Sequence, residues 1–220
     1  MQSVARRVSD RHMLKLIKSW LKVSVEEQTG TGGRRMSGGK KSKQGTPQGG
    51  VISPLLANIY MHRFLRAWHQ RGKGQKYSAR IVNYADDIVI LSRGHAEEAL
   101  TWTRWAMGNI GLSLNEDKTC IRAAHREHFD FLGYTFGPEC FRKNGRWYLA
   151  AKPSKKSVQR LRGKVRALLG PGNMQPRDLV VWRLNRILRG WANYFSYGTR
   201  LMAYRAVDRY VYDRVRQFLR

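Results

Sequence analysis

Acid is what this sequence is short of. Its 220 residues carry 15 Asp and Glu against 42 Lys and Arg, a formal net charge of +27. From Gln28 through Ala85 there is no carboxylate side chain at all. Such a balance points to a polyanionic partner, and nucleic acid is the commonest large one; an anionic membrane surface is the competing reading. Cysteine is scarce too. Cys120 and Cys140 make no disulfide framework, so a reducing cytosol is the expected setting. With His125 and His128 they have the composition of a zinc site but not its paired-cysteine spacing, and zinc is not expected. No apolar run approaches the ~18 residues that span a bilayer, and the start has no apolar signal core. Its arginines loosely fit an organelle transit peptide. However, Val4, Val8, Leu14, Ile17 and Leu21 read better as the inner stripe of a helix.

What is present reads as an α+β chain. Residues 4–25 have the pattern of one amphipathic helix, followed by a flexible Gly- and Lys-rich connector over residues 29–45. Ser53-Pro54 is a good helix start, a capping hydroxyl followed by proline at the first helical position. Leu55, Ile59 and Phe64, with Leu56, Tyr60 and Trp68 nearby, then supply an apolar face. "RIVNY" and "IVILS" read as two strands, residues 96–110 as a helix, and "LSLN" and "TCIR" as short strands around a polar bend. "HFDFLGYTF" and "CFRKNGRWYL" add further strands, the second carrying an Asn144-Gly145 hairpin signal. At Pro153 the character changes. Residues 154–169, 176–197 and 199–219 read as helices, and residues 151–220 carry 17 Lys and Arg, three acids and nine interleaved aromatics.

The stretch "NYADDIVIL", residues 83–91, sets two adjacent carboxylates between two strand-forming runs. Burying a charge beside apolar neighbours is costly without compensation. A hairpin turn holding Asp-Asp suits a hard divalent cation, which takes carboxylate oxygens and shares its shell with substrate phosphates and water. A polar turn that merely caps a hairpin is the simpler reading of the pair alone. "GTPQGG" lacks the Gly-Lys-Ser/Thr ending of a phosphate-binding P-loop, which argues against an ATPase.

Taken in order, "GTPQGGVISPLLANIYM", "YADDIVIL", "GLSLNEDKT" and "FDFLGYTF" resemble the palm of reverse transcriptases encoded by group II introns, and "LNRILRGWANYFSYG" resembles the maturase region that follows the thumb. The resemblance implies a polymerase palm over residues 1–150, an antiparallel sheet packed on helices. The start of the thumb and a linker would follow over 151–172, and a basic all-α thumb and maturase unit over 173–220. It implies Asp86 and Asp87 as catalytic metal ligands for Mg²⁺, with Mn²⁺ able to substitute. Tyr84 and Ala85 would lie beneath the primer end, and Pro47, Gln48 and Gly49 would line the nucleotide and template pocket. Lys118 would assist the departing pyrophosphate, though it reads equally as an exposed lysine after a turn. Phe131, Leu132 and Gly133 would form the primer grip, where Phe129 and Phe131 also suit an ordinary core strand. Arg160, Arg162, Lys164 and Arg166 would face a duplex, or else form a solvated helix face. Arg186 and Arg189 would contact RNA. The interleaved aromatics divide between core, Trp191 above all, and surfaces that stack on unpaired bases.

The family also carries a first catalytic aspartate on an apolar strand upstream of "GTPQG". Here only Asp10, Glu26 and Glu27 precede Asp86, and none is framed by strand residues. The expectation is therefore a chain truncated at its N-terminus, lacking the fingers, that does not polymerise efficiently alone and needs an upstream fingers fragment. The implied partners are intron and template RNA, a DNA primer and deoxynucleotides. The alternatives are a non-catalytic maturase that holds intron RNA, and an inactive gene fragment.

Overall fold

The computed structural model describes residues 1–28, 34–38, 50–141 and 144–219, with backbone only at 24–28 and 34–38. They form two compact units, Met1–Ile121 and Arg122–Arg220. The mixture of helices with small antiparallel sheets is the α+β architecture read from the sequence.

The first unit opens with two helices where one was expected: α1 (Gln2–Ala5) and α2 (Arg11–Trp20). The break falls at Asp10, whose carboxylate accepts from the backbone amides of His12 at 2.7 Å and Met13 at 3.1 Å. Such an N-cap satisfies otherwise orphaned amides and is worth about 1 kcal/mol, enough to start a new helix inside a continuous apolar pattern. Strands β1 (Ser24–Gln28) and β2 (Arg34–Gly38) pair antiparallel, with Glu26 opposite Met36. That hairpin takes up the end of the expected helix and part of the expected connector. The rest of the connector lies outside the described residues.

Helix α3 (Ser53–Gln70) begins as Ser53-Pro54 predicted, although Ile52 is its capping residue. It carries Phe64 and Trp68, each 1% exposed, into a core shared with Trp102 and Met107 of α5 (Ala96–Asn109). The Trp68 and Trp102 rings meet edge to face at 5.5 Å, a geometry that adds to the burial of two large side chains. Between them lie a short turn of helix, α4 (Lys73–Lys76), and the strands β3 (Ala79–Tyr84) and β4 (Asp87–Ser92). Ile81 pairs with Ile90 and Asn83 with Ile88 in the antiparallel register, and the three isoleucines pack on the aromatic core. Period-two alternation therefore turns Val82, Tyr84, Asp87, Val89 and Leu91 to the other face.

The expected strands at 112–115 and 119–122 do not form. Asn115 organises a polar turn instead. Its side-chain oxygen accepts from the Lys118 amide at 3.2 Å, and its carbonyl accepts from the Thr119 amide and hydroxyl. Local side-chain bonds of this kind draw backbone groups away from a strand ladder. Leu112 and Leu114 still pack against the core.

The second unit starts with a three-stranded antiparallel sheet in sequence order: β5 (Phe129–Phe131), β6 (Tyr134–Phe141) and β7 (Arg146–Pro153). Asn144-Gly145 turns the chain between β6 and β7, with Gly145 at φ +68°. Three helices follow: α6 (Lys155–Leu168), α7 (Arg177–Tyr194) and α8 (Leu201–Phe218). Ser154 caps α6 by accepting from the Ser157 amide at 3.2 Å. Leu161, Val165 and Leu169 close against Val180, Leu184 and Val207, with Val165 fully buried. Each such side chain contributes about 1.5–3 kcal/mol by leaving water. The change in sequence character at Pro153 thus falls inside this unit, whose sheet and helices share a second, aromatic cluster of Tyr134, Trp191 and Phe195.

Candidate functional site

The register pairs Tyr84 with Asp87, leaving Ala85 and Asp86 as a two-residue loop at the hairpin tip. Ala85 sits at φ +49°, in the left-handed region that costs an L-residue about 1–2 kcal/mol. Asn83 braces the loop, its side-chain amide donating to the carbonyls of Ala85 at 2.9 Å and Asp87 at 3.4 Å. Strain held by a brace is typical of a backbone whose job is to aim side chains. Asp86 and Asp87 are both exposed, and Tyr84 beside them is 63% exposed. Neither carboxylate has a hydrogen-bond or ion-pair partner among the described residues, in a chain of net charge +27. The carboxylates are thus not buried at the expense the sequence suggested. They stand exposed on a turn braced by Asn83.

Those donors fit a hard divalent cation, which takes carboxylate oxygens and completes its shell with water and phosphate. Among the described residues no group of three or more His, Cys, Asp and Glu gathers to hold a metal. Lys118 stands on the Asn115 turn, exposed and without an ion pair among the described residues. That turn is tied to α5 by Arg104, whose Nε and Nη2 donate to the Glu116 carboxylate at 3.0 and 2.7 Å. The hydrogen bonds from Arg104 hold Glu116 below the usual carboxylate range. Pro47, Gln48 and Gly49 lie outside the described residues.

The Phe131–Gly133 segment forms a second tight hairpin in the other unit. Leu132 at φ +49° and Gly133 at φ +78° form its two-residue loop, both in the conformation that a type I′ turn requires. Its carbonyls are clamped from the helices. Tyr194 donates its hydroxyl to the Leu132 carbonyl at 2.8 Å, while Ser157 Oγ at 3.0 Å and the Ser154 amide at 2.8 Å both donate to that of Gly133. Tyr134 returns the gesture, donating its hydroxyl to the Tyr194 carbonyl at 2.8 Å, and burial pushes its phenol pKa up.

Beside this loop opens a cleft of about 570 Å³ between α6 and α7. Leu132 and Gly133 form one end; Arg160 and Lys164 line it from α6, and Arg186, Trp191 and Tyr194 from α7. The structure therefore brings two residues of the predicted grip together with three of the predicted RNA contacts. Arg186 also lies over the Trp182 ring at 5.2 Å. Trp191 packs on Phe195 and Tyr204, as a core residue would, yet its buried indole N–H has no partner among the described residues. Phosphates suit the three cations, and bases suit the aromatic faces. Arg162 is placed differently. Its guanidinium lies over the Tyr210 ring at 5.1 Å and donates to the Ala206 carbonyl, so α8 occupies it. Arg166 and Arg189 are exposed and do not line the cleft.

Residues 3–136 match the family model of the reverse transcriptase (RNA-dependent DNA polymerase), more than half of the chain. The chain belongs to the reverse transcriptase family. Residues 158–220 match the group II intron, maturase-specific domain, which ties the chain to the family's intron-associated branch. Protein YkfC of Escherichia coli is 29% identical over 165 residues, covering 61% of this chain and 41% of that protein. An uncharacterised 91 kDa protein in the cob intron of Schizosaccharomyces pombe is 23% identical over 224 residues, covering 70% of this chain and 28% of that protein. The chain thus spans less than half the length of these curated relatives. Reverse transcriptases generally work with divalent metal ions. Sequence reading missed Ser157 and Gly190 as parts of the cleft and Tyr194 as the clamp on Leu132. A serine one turn into a helix and a tyrosine among other aromatics carry no pattern that marks them.

Proposed function

We propose that this chain is the palm, thumb and maturase part of an RNA-directed DNA polymerase whose template is group II intron RNA. Residues 1–150 would serve as palm, 151–172 as the start of the thumb, and 173–220 as the helical thumb and maturase region. The observation that carries the reading is the Asp86-Asp87 pair, exposed and without a neutralising partner among the described residues, on a braced, strained turn within the matched polymerase segment. Asp86 and Asp87 would hold Mg²⁺, which when bound supplies a nucleophilic primer hydroxyl and charge stabilisation at the phosphate under attack. Tyr84 would pack beneath the primer terminus, and Lys118 would offer a proton or a positive charge to the pyrophosphate. Leu132 and Gly133 would position the primer strand through backbone held rigid by Tyr194 and Ser157. Arg160, Lys164 and Arg186 would take phosphates in the adjoining cleft. The setting would be cytosolic, and among the described residues no helix is long and apolar enough to cross a membrane.

A second reading has its own footing. No third metal-ligating side chain joins the pair among the described residues, and the basic, aromatic cleft binds RNA equally well without catalysis. In that case the chain holds intron RNA as a splicing cofactor. Primer extension separates the two, with RNA template, DNA primer, deoxynucleotides and Mg²⁺, and RNA affinity measured in parallel. The polymerase reading expects Mg²⁺-dependent extension that Asp86→Ala abolishes while RNA binding persists. A folded chain that binds RNA and extends nothing would assign it the maturase role alone.

A further inference from the structure

Helix α3 packs its Phe64–Trp68 face into the core and turns a cationic face outward. Against that face lies α1, and between them is a concavity of about 300 Å³. Arg6 and Arg7 line it from the N-terminal segment, His62, Arg63, Arg66 and Gln70 from α3, and among the described residues no acid lines it. None of the four arginines has a carboxylate within ion-pair distance among the described residues. Three are held in place: Arg7 donates Nη1 to the Ser3 carbonyl at 2.8 Å, the Arg63 guanidinium lies over the Tyr60 ring at 5.3 Å, and Arg66 donates Nε to the Gln70 side-chain oxygen at 3.0 Å. Each retains most of its five N–H donors. Four like charges converging on one hollow repel one another, and an anion seated there would reverse the sign of that term.

We propose that this hollow is a second RNA-docking site, which takes adjacent phosphates of an RNA strand and is separate from the Asp86 turn and from the cleft between α6 and α7. From Arg63 to Gln70 the helix advances about 10 Å, longer than one phosphate and matched to two or three neighbours on a strand. Guanidinium forks bind phosphate oxygens in pairs, so a short backbone segment satisfies donors that a lone phosphate would leave idle. A lipid surface is disfavoured because, among the described residues, Ala67 is the only apolar one in the lining, whereas interfacial binding needs aromatic or aliphatic residues to insert. The proposal goes beyond the polymerase reading and does not depend on it, because it concerns binding without nucleotides.

The test uses the full chain and a fluorescein-labelled RNA hairpin, titrated at several salt concentrations. Arg63→Ala with Arg66→Ala should weaken binding about tenfold and make the log–log salt slope shallower by about 1–2, the contribution of two phosphate contacts. Arg63→Lys with Arg66→Lys should keep the slope. The effect should add to that of Arg160→Ala with Arg186→Ala, and 4-thiouridine RNA should crosslink to peptides of α1 and α3. Circular dichroism checks that the exposed substitutions leave the fold intact. An unchanged affinity and slope would overturn the proposal, as would a loss already complete in the Arg160/Arg186 variant. Competition by millimolar inorganic phosphate that removes the Arg63/Arg66 contribution would assign the hollow to a small anion instead. A defect seen with phosphatidylserine vesicles but not with RNA would assign it to a membrane. Primer extension plays no part in these readouts, so a chain that extends nothing can still pass or fail them.

Discussion

Replacing Gly133 by alanine strikes the clamped hairpin at a point where the cost can be worked out. An alanine at φ +78° pays about 1–2 kcal/mol for the left-handed backbone. Its methyl would stand 2.9 Å from Ser157 Oγ and 3.3 Å from Phe195 Cζ, and Phe195 is buried at 4% exposure. Forcing a methyl into such a place costs about 1–3 kcal/mol. The expected loss is therefore about 3 kcal/mol. Ser157→Ala alone removes the 3.0 Å bond to the Gly133 carbonyl, but the Ser154 amide still donates there at 2.8 Å, so its cost is about 1 kcal/mol. In the double variant the hydroxyl that the methyl would strike is gone. The two costs should then fall short of additivity by about 1 kcal/mol. Because the chain has two compact units, whole-chain melting would blur the result. Hydrogen exchange of peptides covering residues 129–141 localises it. Strict additivity, or a Gly133→Ala cost below about 1 kcal/mol, would refute the clamped geometry.

Two further outcomes are expected. Ala85→Val, which puts a β-branched residue at φ +49°, should weaken protection of the β3–β4 amides by about 1–2 kcal/mol, whereas Ala85→Gly should leave it equal or slightly stronger in the same exchange measurement. Glu116 is held below its ordinary value of 4.5 chiefly by hydrogen bonds from Arg104, so its ionised form favours the folded state and the benefit exists above that value. The stability gap between wild type and Arg104→Gln in urea titrations should be widest above pH 4.5 and close as the pH falls through the depressed value; a gap that widens in acid would contradict the pairing.

The β3–β4 hairpin was legible because period-two alternation in "RIVNYADDIVIL" and the core contacts of Ile81, Ile88 and Ile90 agree. Helices α6, α7 and α8 were legible for the same reason at helical period. The helix expected over residues 4–25 failed because one carboxylate, Asp10, outweighed a continuous apolar stripe. The strands at 112–115 and 119–122 failed to Asn115, whose side chain competes for the backbone. Periodicity also set Arg160, Arg162, Lys164 and Arg166 on one basic helix without saying which would be free, and the packing of α8 decides that by occupying Arg162. The bonds from Tyr194 and Ser157 to a loop 62 and 24 residues away reach backbone carbonyls, which have no side-chain identity to pattern. The hollow between α1 and α3 is tertiary in the same sense, since Arg6 and Arg66 meet only once the core has formed.

The central claim is that the Asp86-Asp87 turn binds a divalent cation, and iron-mediated cleavage tests it most directly. Fe²⁺ takes the place of Mg²⁺ and, with ascorbate and peroxide, cuts the chain beside its own site, so fragment masses report position whether or not primer is extended. The account predicts cleavage within the β3–β4 turn that Mg²⁺ suppresses and that Asp86→Ala with Asp87→Ala removes. An uncut turn, or cutting there that survives loss of both carboxylates, would contradict it.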